Sequence, residues 1–377
     1  MSCRIVHFSD SHLGYTDQYS LTNCGIQMRE LDFYKSFKAV VDKIIEIKPD
    51  AVVHTGDLFH RPSPANRPLV ECLTQIKRLS FEKIPFIVIA GNHSTPRSNL
   101  TSPILGALES IDGVYPFFRE KYETIELNGI MFHALPHCND DHVFNEELQK
   151  MVPVQNKINI ALLHTSAGKQ YMMEEYGERV LGKEYISILN SFDYIALGHW
   201  HGFQKVSIFK NAWYSGSTER LSDSEYSQRK GFIFAEIDNN STEVSFNEIE
   251  TRPWYKKEVK DCGSKTAQAV ENELFMLAKE IEPHSLVNIT LSDLRAEQGG
   301  LISNTRIAEI ITECMTLNIR RVVKGGSNSH NVDNSSGLSI EALFDEYTGK
   351  ELENDPSRDD IISLGRKYFL QYEENKK

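Results

Sequence analysis

Short β-branched runs alternating with amphipathic stretches mark this chain as an α/β protein: a two-sheet sandwich flanked by helices, then a small α/β domain and a helical tail. Three observations carry that assignment. Up to about residue 110 the runs keep a βαβ rhythm. Between residues 130 and 250 strand-like runs follow one another, several at hairpin-length spacings, which calls for a mixed sheet beside the first. From about Thr251 the character changes to a strand, a helix and another strand, followed by a stretch rich in Gly, Ser and Asn.

The elements follow in order. Arg4 to Ser9, Ala51 to His54 and Ile84 to Ile89 are strands, and the apolar spacing over Gln27 to Ile47 and Leu69 to Leu79 predicts helices between them. Further strands are expected at Ile130–Leu135, Lys157–Leu163, Tyr194–Leu197, Phe203–Phe209, Gly231–Ile237 and Glu243–Ile249. In the small domain, Leu286–Leu291 and Asn318–Val323 read as strands around a helix over Asn304–Leu317. This places a first domain at 1–250, a second at 251–324, a flexible linker at 325–337 and a tail at 338–377. In the tail, Ile340, Leu343, Phe344 and Tyr347 share one helical face, and Asp355-Pro356 starts a second helix as N-cap and first residue.

A chain of 377 residues, 40% hydrophobic and 25% charged, can bury a sizeable core and carry a second domain. Its net charge of −12 argues against a free-standing nucleic-acid binder, which carries a basic stripe to neutralise phosphates. A DNA substrate would need bound metals or a partner to supply positive charge. Cys3, Cys24, Cys72, Cys138, Cys262 and Cys314 form no close pair, so neither a zinc knuckle nor a redox motif is expected, and the plain reading is a reducing cytoplasm. No stretch has the apolar length of a signal-peptide core or a membrane span, so no membrane association is expected.

The chemistry lies where polar residues follow strands. Asp10-Ser11-His12 follows the first, Gly56-Asp57 the second and Gly91-Asn92-His93 the third, while His164 and Gly198-His199-Trp200-His201 follow two later ones. Carboxyl ends of parallel strands share one rim, so the first three loops converge on one crevice. An isolated Asp after a strand is usually a turn former or helix cap, and isolated histidines such as His7, His54, His133 and His137 are usually packed core or surface residues. Five such motifs at strand ends are a ligand set. Oxygen and imidazole donors without thiolate favour manganese, iron or zinc over calcium or a structural zinc site.

In this order the motifs resemble the calcineurin-like metallophosphoesterase superfamily. Asp10-Ser-His-Leu-Gly14, Gly56-Asp-Leu-Phe-His60 followed by Arg61-Pro62, and Tyr214-Ser-Gly-Ser-Thr-Glu-Arg220 resemble its double-strand-break repair nuclease branch, the meiotic-recombination-eleven or SbcD type. That resemblance implies two divalent metal ions, most simply Mn2+. Asp10, His12 and His201 would hold one, Asn92, His164 and His199 the other, and Asp57 would bridge them. Two cations about 3.5–4 Å apart can clamp a phosphodiester and activate a water.

The resemblance further implies that His93 faces the phosphate and helps protonate the leaving oxygen, and that His60 helps seat a DNA end. Residues 251–324 would cap DNA, the tail would bind an SMC-like coiled-coil ATPase of the SbcC type, and the protein would be a homodimer. Arg220 has two readings, a contact to substrate phosphate or an anchor for its own loop. Members of the family usually carry Asp after Gly-Asn-His, where this chain has Ser94. If that Asp orients the histidine, His93 should be less firmly held and less basic here, unless Ser94 or Thr95 merely caps a turn before Pro96. Two competing functions are action on a smaller phosphoester and a weakly catalytic DNA-tethering scaffold.

Overall fold

The computed structural model describes residues 2–16, 21–22, 25–97, 101–167, 180–181, 183–238, 241–295, 298, 300–324, 344, 348, 358–359 and 361–366. The chain begins β1 (Ser2–Phe8), α1 (Met28–Ile47), β2 (Ala51–His54), α2 (Asn66–Phe81), β3 (Phe86–Ile89) and β4 (Val114–Phe117). Next come β5 (Glu123–Leu127), β6 (Ile130–Leu135), α3 (Asp141–Gln149), β7 (Ile158–His164), β8 (Ser166–Ala167), β9 (Val180–Leu181), α4 (Ile186–Leu189) and β10 (Tyr194–Gly198). The sandwich closes with β11 (Gln204–Lys205), β12 (Ala212–Tyr214), β13 (Gly231–Asp238) and β14 (Thr242–Glu248). Then follow β15 (Trp254–Val259), α5 (Ala267–Ala278), β16 (Leu286–Leu294), α6 (Asn304–Ile310) and β17 (Thr316–Val323).

One six-stranded sheet has the order β14-β13-β1-β2-β3-β4, with β1 to β4 parallel and β13 antiparallel to β1. A second runs β11-β12-β10-β7-β6-β5, with β6, β7, β10 and β12 parallel and an antiparallel strand at each edge. Strand alternation decides the layering. Ile5, Val53 and Ile87 of the first sheet meet Phe132, Ile160 and Leu162 of the second in a buried inter-sheet core. The opposite face of the first sheet, with Val6, Phe8 and Val88, packs on α1 and α2, and that of the second, with Leu163 and Leu197, packs on α3 through Phe144 and Leu148. The sandwich is therefore covered by helices on both outer faces, as the sequence pattern implied.

Helix α1 owes its position to Phe33, Phe37, Val40, Val41 and Ile44, which fall on one face and are all buried. It ends at Lys48, whose φ of 51° breaks the helix while its N–H still reaches the Ile44 carbonyl. Truncating Phe37, which lies 6.0 Å from the Phe8 ring, would cost about 3–5 kcal/mol. Because α1 and α2 clamp the first sheet from outside, the loops at the carboxyl ends of β1, β2 and β3 are held at one rim.

The small three-stranded sheet, β15-β16-β17, packs Val287, Ile289 and Leu291 against Val270 and Leu274 of α5 and Ile307 of α6. Here the expected helix over Asn304–Leu317 is shorter. Ile311 (ψ 81°) and Glu313 (φ 63°) turn the chain, and the Met315 N–H donates to the Ser285 carbonyl at 2.8 Å, so the residues from Thr316 join the sheet instead. Of the expected strand Phe203–Phe209 only Gln204–Lys205 pairs, and Val206 and Phe209 are buried from a turn.

The chain divides into two compact units, Met1–Arg321 and Val322–Lys377. In the second, Ile340, Leu343 and Tyr347 of the apolar stripe and Asp355-Pro356 lie outside the described residues. Phe344 is half-buried, and its ring sits where a side chain on Gly365 would be, 2.3 Å from an added Cβ. None of the described helices is long and apolar enough to cross a membrane.

Candidate metal centre

The two sheets bring all seven expected ligands to one rim. Asp10 and His12 leave β1, Asp57 leaves β2, Asn92 leaves β3, His164 ends β7, and His199 and His201 follow β10. The first two loops are zipped together by backbone bonds, Asp10 N–H to Gly56 O at 3.0 Å and His12 N–H to Asp57 O at 2.9 Å. Asp10, His12, Asp57 and His199 all adopt positive φ, between 42° and 98°, a conformation costly for side-chain-bearing residues and sustained here by the surrounding loops. The motif glycines make the close approach possible. A Cβ on Gly56 (φ 104°) would lie 2.1 Å from His164 Nδ1, and one on Gly198 would lie 1.9 Å from the Thr55 carbonyl oxygen.

Donor atoms converge in three groups, one of which joins His12, His60 and His93. Donors of Asp10, His12 and His201 lie within 4.8 Å of one another, and so do those of Asp10, Asp57 and His164. His12 Nε2 and His201 Nε2 are 3.3 Å apart. Asn92 Oδ1 is 2.9 Å from His164 Nε2 and 3.3 Å from His199 Nδ1, and Asp57 Oδ2 is 3.3 Å from the same His164 nitrogen. Imidazole nitrogens, carboxylates and an amide oxygen aimed at common points form the donor set of a divalent cation of intermediate hardness, and no thiol takes part. Asp10 belongs to both of the groups that contain a carboxylate, while Asp57 joins it only in the second.

A backbone carbonyl and a carboxylate settle which nitrogen two of the histidines present. His164 Nδ1–H donates to the Thr55 carbonyl at 2.7 Å, leaving Nε2 for a metal. His201 Nδ1–H donates to Glu225 Oε1 at 2.9 Å, with the same result. Sequence reasoning missed Glu225, which sits on a three-residue turn, Asp223–Glu225, with no motif to announce it. Its other oxygen meets Lys230 Nζ at 2.5 Å, and that ammonium, with its side chain fully buried, also donates to the His201 carbonyl, Ser217 Oγ and Gln228 Oε1. Burial pushes the Glu225 carboxyl up, but the His201 hydrogen bond and the Lys230 charge outweigh it and hold it down to about 2. Burial likewise opposes charge on His164, yet the Asp57 carboxylate beside it lifts that imidazole to about 9.

His93 and His60 stand at the edge of this cluster. The His93 Nδ1–H donates to the His60 carbonyl at 3.1 Å, which leaves Nε2 for the cavity, and the two rings stack with centroids 5.1 Å apart. His60 Nδ1 lies 3.3 Å from His12 Nδ1, so the second face of His12 is braced as well. Burial, reinforced by the neighbouring His93 and Arg61, lowers His60 to about 4. His93 also donates its backbone N–H to Asp57 Oδ1 at 2.8 Å.

In place of the carboxylate that the resemblance leads one to expect, His93 has a neutral backbone acceptor. Ser94 is fully buried and its Oγ has no hydrogen-bond partner, while Thr95 closes the turn through Oγ1 to the Gly91 carbonyl at 2.8 Å. A backbone carbonyl orients His93, and residue 94 takes no part. Arg220 is committed internally: Nη1 donates to Thr251 Oγ1 at 2.7 Å and Nη2 to the Gln228 carbonyl at 2.9 Å, which supports the loop-anchor reading. It adjoins an ion-pair knot in which Arg252 grips both oxygens of Asp32, at 2.7 and 2.6 Å, and Arg29 meets the same carboxylate at 2.7 Å. Of the other histidines, His7 bonds Tyr194 and Thr55, His54 bonds Ser11, and His133 bonds Tyr122 and Asn159, all within the core.

The family model for calcineurin-like phosphoesterases matches residues 3–203. The DNA double-strand break repair protein Mre11 of Methanocaldococcus jannaschii is 28% identical over 374 residues, covering 92% of this chain and 96% of that one. Its counterpart in Methanococcus maripaludis is 28% identical across 82% of this chain and 90% of its own. A dimetal phosphatase from Danio rerio aligns in structure over 64% of this chain and 95% of that chain, with 12% identity and a TM-score of 0.39. With the family match spanning β1 through the final pair of histidine ligands, the chain belongs to the calcineurin-like phosphoesterases.

Proposed function

We propose that this protein is a metal-dependent nuclease that processes the ends of double-stranded DNA in break repair. The observation that carries the reading is the ligand set, five strand ends delivering seven N and O donors to two adjoining points. Similarity to proteins named for double-strand break repair along nearly the whole chain supports the substrate class.

In this reading Asp10, His12 and His201 would hold one ion, Asn92, His164 and His199 the other, and Asp57 would serve both. When bound, the two ions, manganese in this reading, would supply Lewis-acid charge at the phosphate and lower the pKa of a water. The protein's own groups do the rest. His93 presents Nε2 to a cavity of about 370 Å³ that Asp57, His199 and His201 also line, and there, as the imidazolium with a proton on each nitrogen, it hydrogen-bonds the scissile phosphate through Nε2–H and gives that proton to the departing 3′-oxygen. His60 stacks on His93 and seats the DNA end. Residues 251–324 act as a DNA-covering domain pinned by Arg252 to Asp32, and residues 338–377, joined through 325–337, bind an SMC-like ATPase. That partnership and the homodimer rest on the resemblance, and co-purification and light scattering test them.

The deciding assay is manganese-dependent cleavage of linear duplex DNA beside bis(p-nitrophenyl) phosphate and a cyclic nucleotide. Preferential cleavage of DNA is expected. Turnover of the small esters alone would replace this reading with a smaller-substrate phosphoesterase, and full metal content with no turnover would replace it with a tethering scaffold.

A further inference from the structure

With Arg220 committed to internal acceptors, the positive charge that meets substrate must come from elsewhere in an acidic chain. Six of its arginines, Arg29, Arg67, Arg78, Arg119, Arg252 and Arg306, each meet a carboxylate. Arg61 and Arg97 do not, and they stand beside Asn92 and His93. Both are exposed, and neither has an ionic or hydrogen-bond partner among the described residues. They line the same open cavity of about 590 Å³.

That cavity is continuous with the metal site by composition, since Asn92 and His93 line both. Among the described residues its remaining wall is Pro62, Ser63, Thr95, Pro96 and Thr101, with no carboxylate. Each arginine adjoins a proline, Arg61-Pro62 and Pro96-Arg97, whose fixed φ stiffens the backbone carrying the guanidinium. An unpaired guanidinium pair breaks no existing ion pair on binding and suits the forked geometry of phosphate oxygens.

Resting on the nuclease reading, we infer that Arg61 and Arg97 form a phosphate-binding shelf for the polynucleotide strand beyond the scissile phosphodiester, so that the strand passes from the metal cavity over His93 onto the two guanidiniums. The shelf lies to one side of His93, so a substrate with a single phosphate fills the metal cavity and leaves it empty. A strand with further phosphates fills both. The shelf is thus a specificity element that selects polynucleotides over small phosphodiesters.

The test uses the full chain with saturating Mn2+ and compares wild type with the double variant Arg61→Ala/Arg97→Ala and with Arg61→Lys/Arg97→Lys. A short duplex oligonucleotide and bis(p-nitrophenyl) phosphate are the substrates. The alanine pair should lower the preference for the oligonucleotide over the small diester by about tenfold or more. It should also make log(kcat/KM) for DNA less steep in log[salt] by about 1.5, the effect of two lost phosphate contacts. The lysine pair should restore the salt slope because it restores the charge. If wild type cuts DNA and the alanine pair keeps both the preference and the slope, the shelf alone is overturned. If wild type hydrolyses the small diester and neither binds nor cuts DNA, both the shelf and the nuclease reading fail.

Discussion

Replacing Glu225 isolates what holds His201 in place. The carboxylate fixes the His201 tautomer through a 2.9 Å bond and shares its second oxygen with Lys230, in a pair whose side chains are 8% and 0% exposed. Glu225→Ala therefore does two separable things. Freed from its acceptor, His201 can rotate and can carry its proton on Nε2, the atom facing His12 Nε2. Loss of such a partner typically weakens metal binding 10–100-fold, about 1.4–2.7 kcal/mol. The second effect falls on the fold, because a buried ammonium loses its counter-ion, a change that costs about 3–5 kcal/mol. Three neutral acceptors remain to Lys230, at 2.8 to 2.9 Å, so the lower end, about 3 kcal/mol, is expected.

Two further variants separate these effects. Glu225→Gln keeps an acceptor for His201 while removing the charge, so it should lose stability yet lose less than about tenfold in affinity. Lys230→Met keeps the Glu225 bond to His201, and should again lower stability more than affinity. Calorimetric titration of Mn2+ reads the affinity, and urea denaturation in chelator reads the stability. If Glu225→Ala binds two ions with wild-type affinity while remaining folded, Glu225 does not position His201 and the reasoning is refuted.

Acid should weaken the fold through the same carboxylate: its folded value of about 2 lies below the ordinary 4.5, so its stabilisation is present above pH 4.5 and is lost as pH falls toward 2. Stability in chelator should drop by about 3 kcal/mol more across that window in wild type than in Glu225→Gln, and parallel curves would contradict the assignment. Gly198→Ala puts a methyl 1.9 Å from the backbone oxygen of Thr55 and should displace His199, with a stability loss of about 1–3 kcal/mol and weakened binding of one ion, read by denaturation and metal titration. Ser94→Ala removes a buried hydroxyl that has no partner, so stability should hold or rise by up to about 1 kcal/mol with an unchanged pH–rate profile. A loss of activity there would mean that residue 94 does orient His93.

The ligands were legible because each follows a short apolar strand that ends in a polar turn, and because glycine marks the positions where the loops close on one another, at Gly56, Gly91 and Gly198. Helix α1 was legible for a similar reason, its apolar residues keeping one face over five turns. What escaped lacks a local pattern. β12 is three residues long, and β15 reads Trp-Tyr-Lys-Lys-Glu-Val, with little to separate a core face from a solvent face. The helical pattern after Asn304 ran on through Ile310 and Ile311 with nothing in composition to show that Glu313 would turn the chain. Glu225 is 24 residues from the histidine it holds, in a serine-rich turn, and only the folded chain brings them together. Arg220 and Ser94 show the same limit, since motif position left two readings open for each and only the tertiary partners, or their absence, bear on the choice.

The two-ion assignment is tested most directly by metal content. Wild type, Asp57→Ala and Asp10→Ala would be equilibrated with Mn2+, freed of loose ions and measured by elemental analysis beside their circular-dichroism spectra. Two ions per chain are expected in wild type, loss of most bound metal in Asp57→Ala, and loss chiefly of the ion shared with His12 and His201 in Asp10→Ala. A folded Asp57→Ala that retains two ions per chain would contradict the bridging role of Asp57 and the centre built around it.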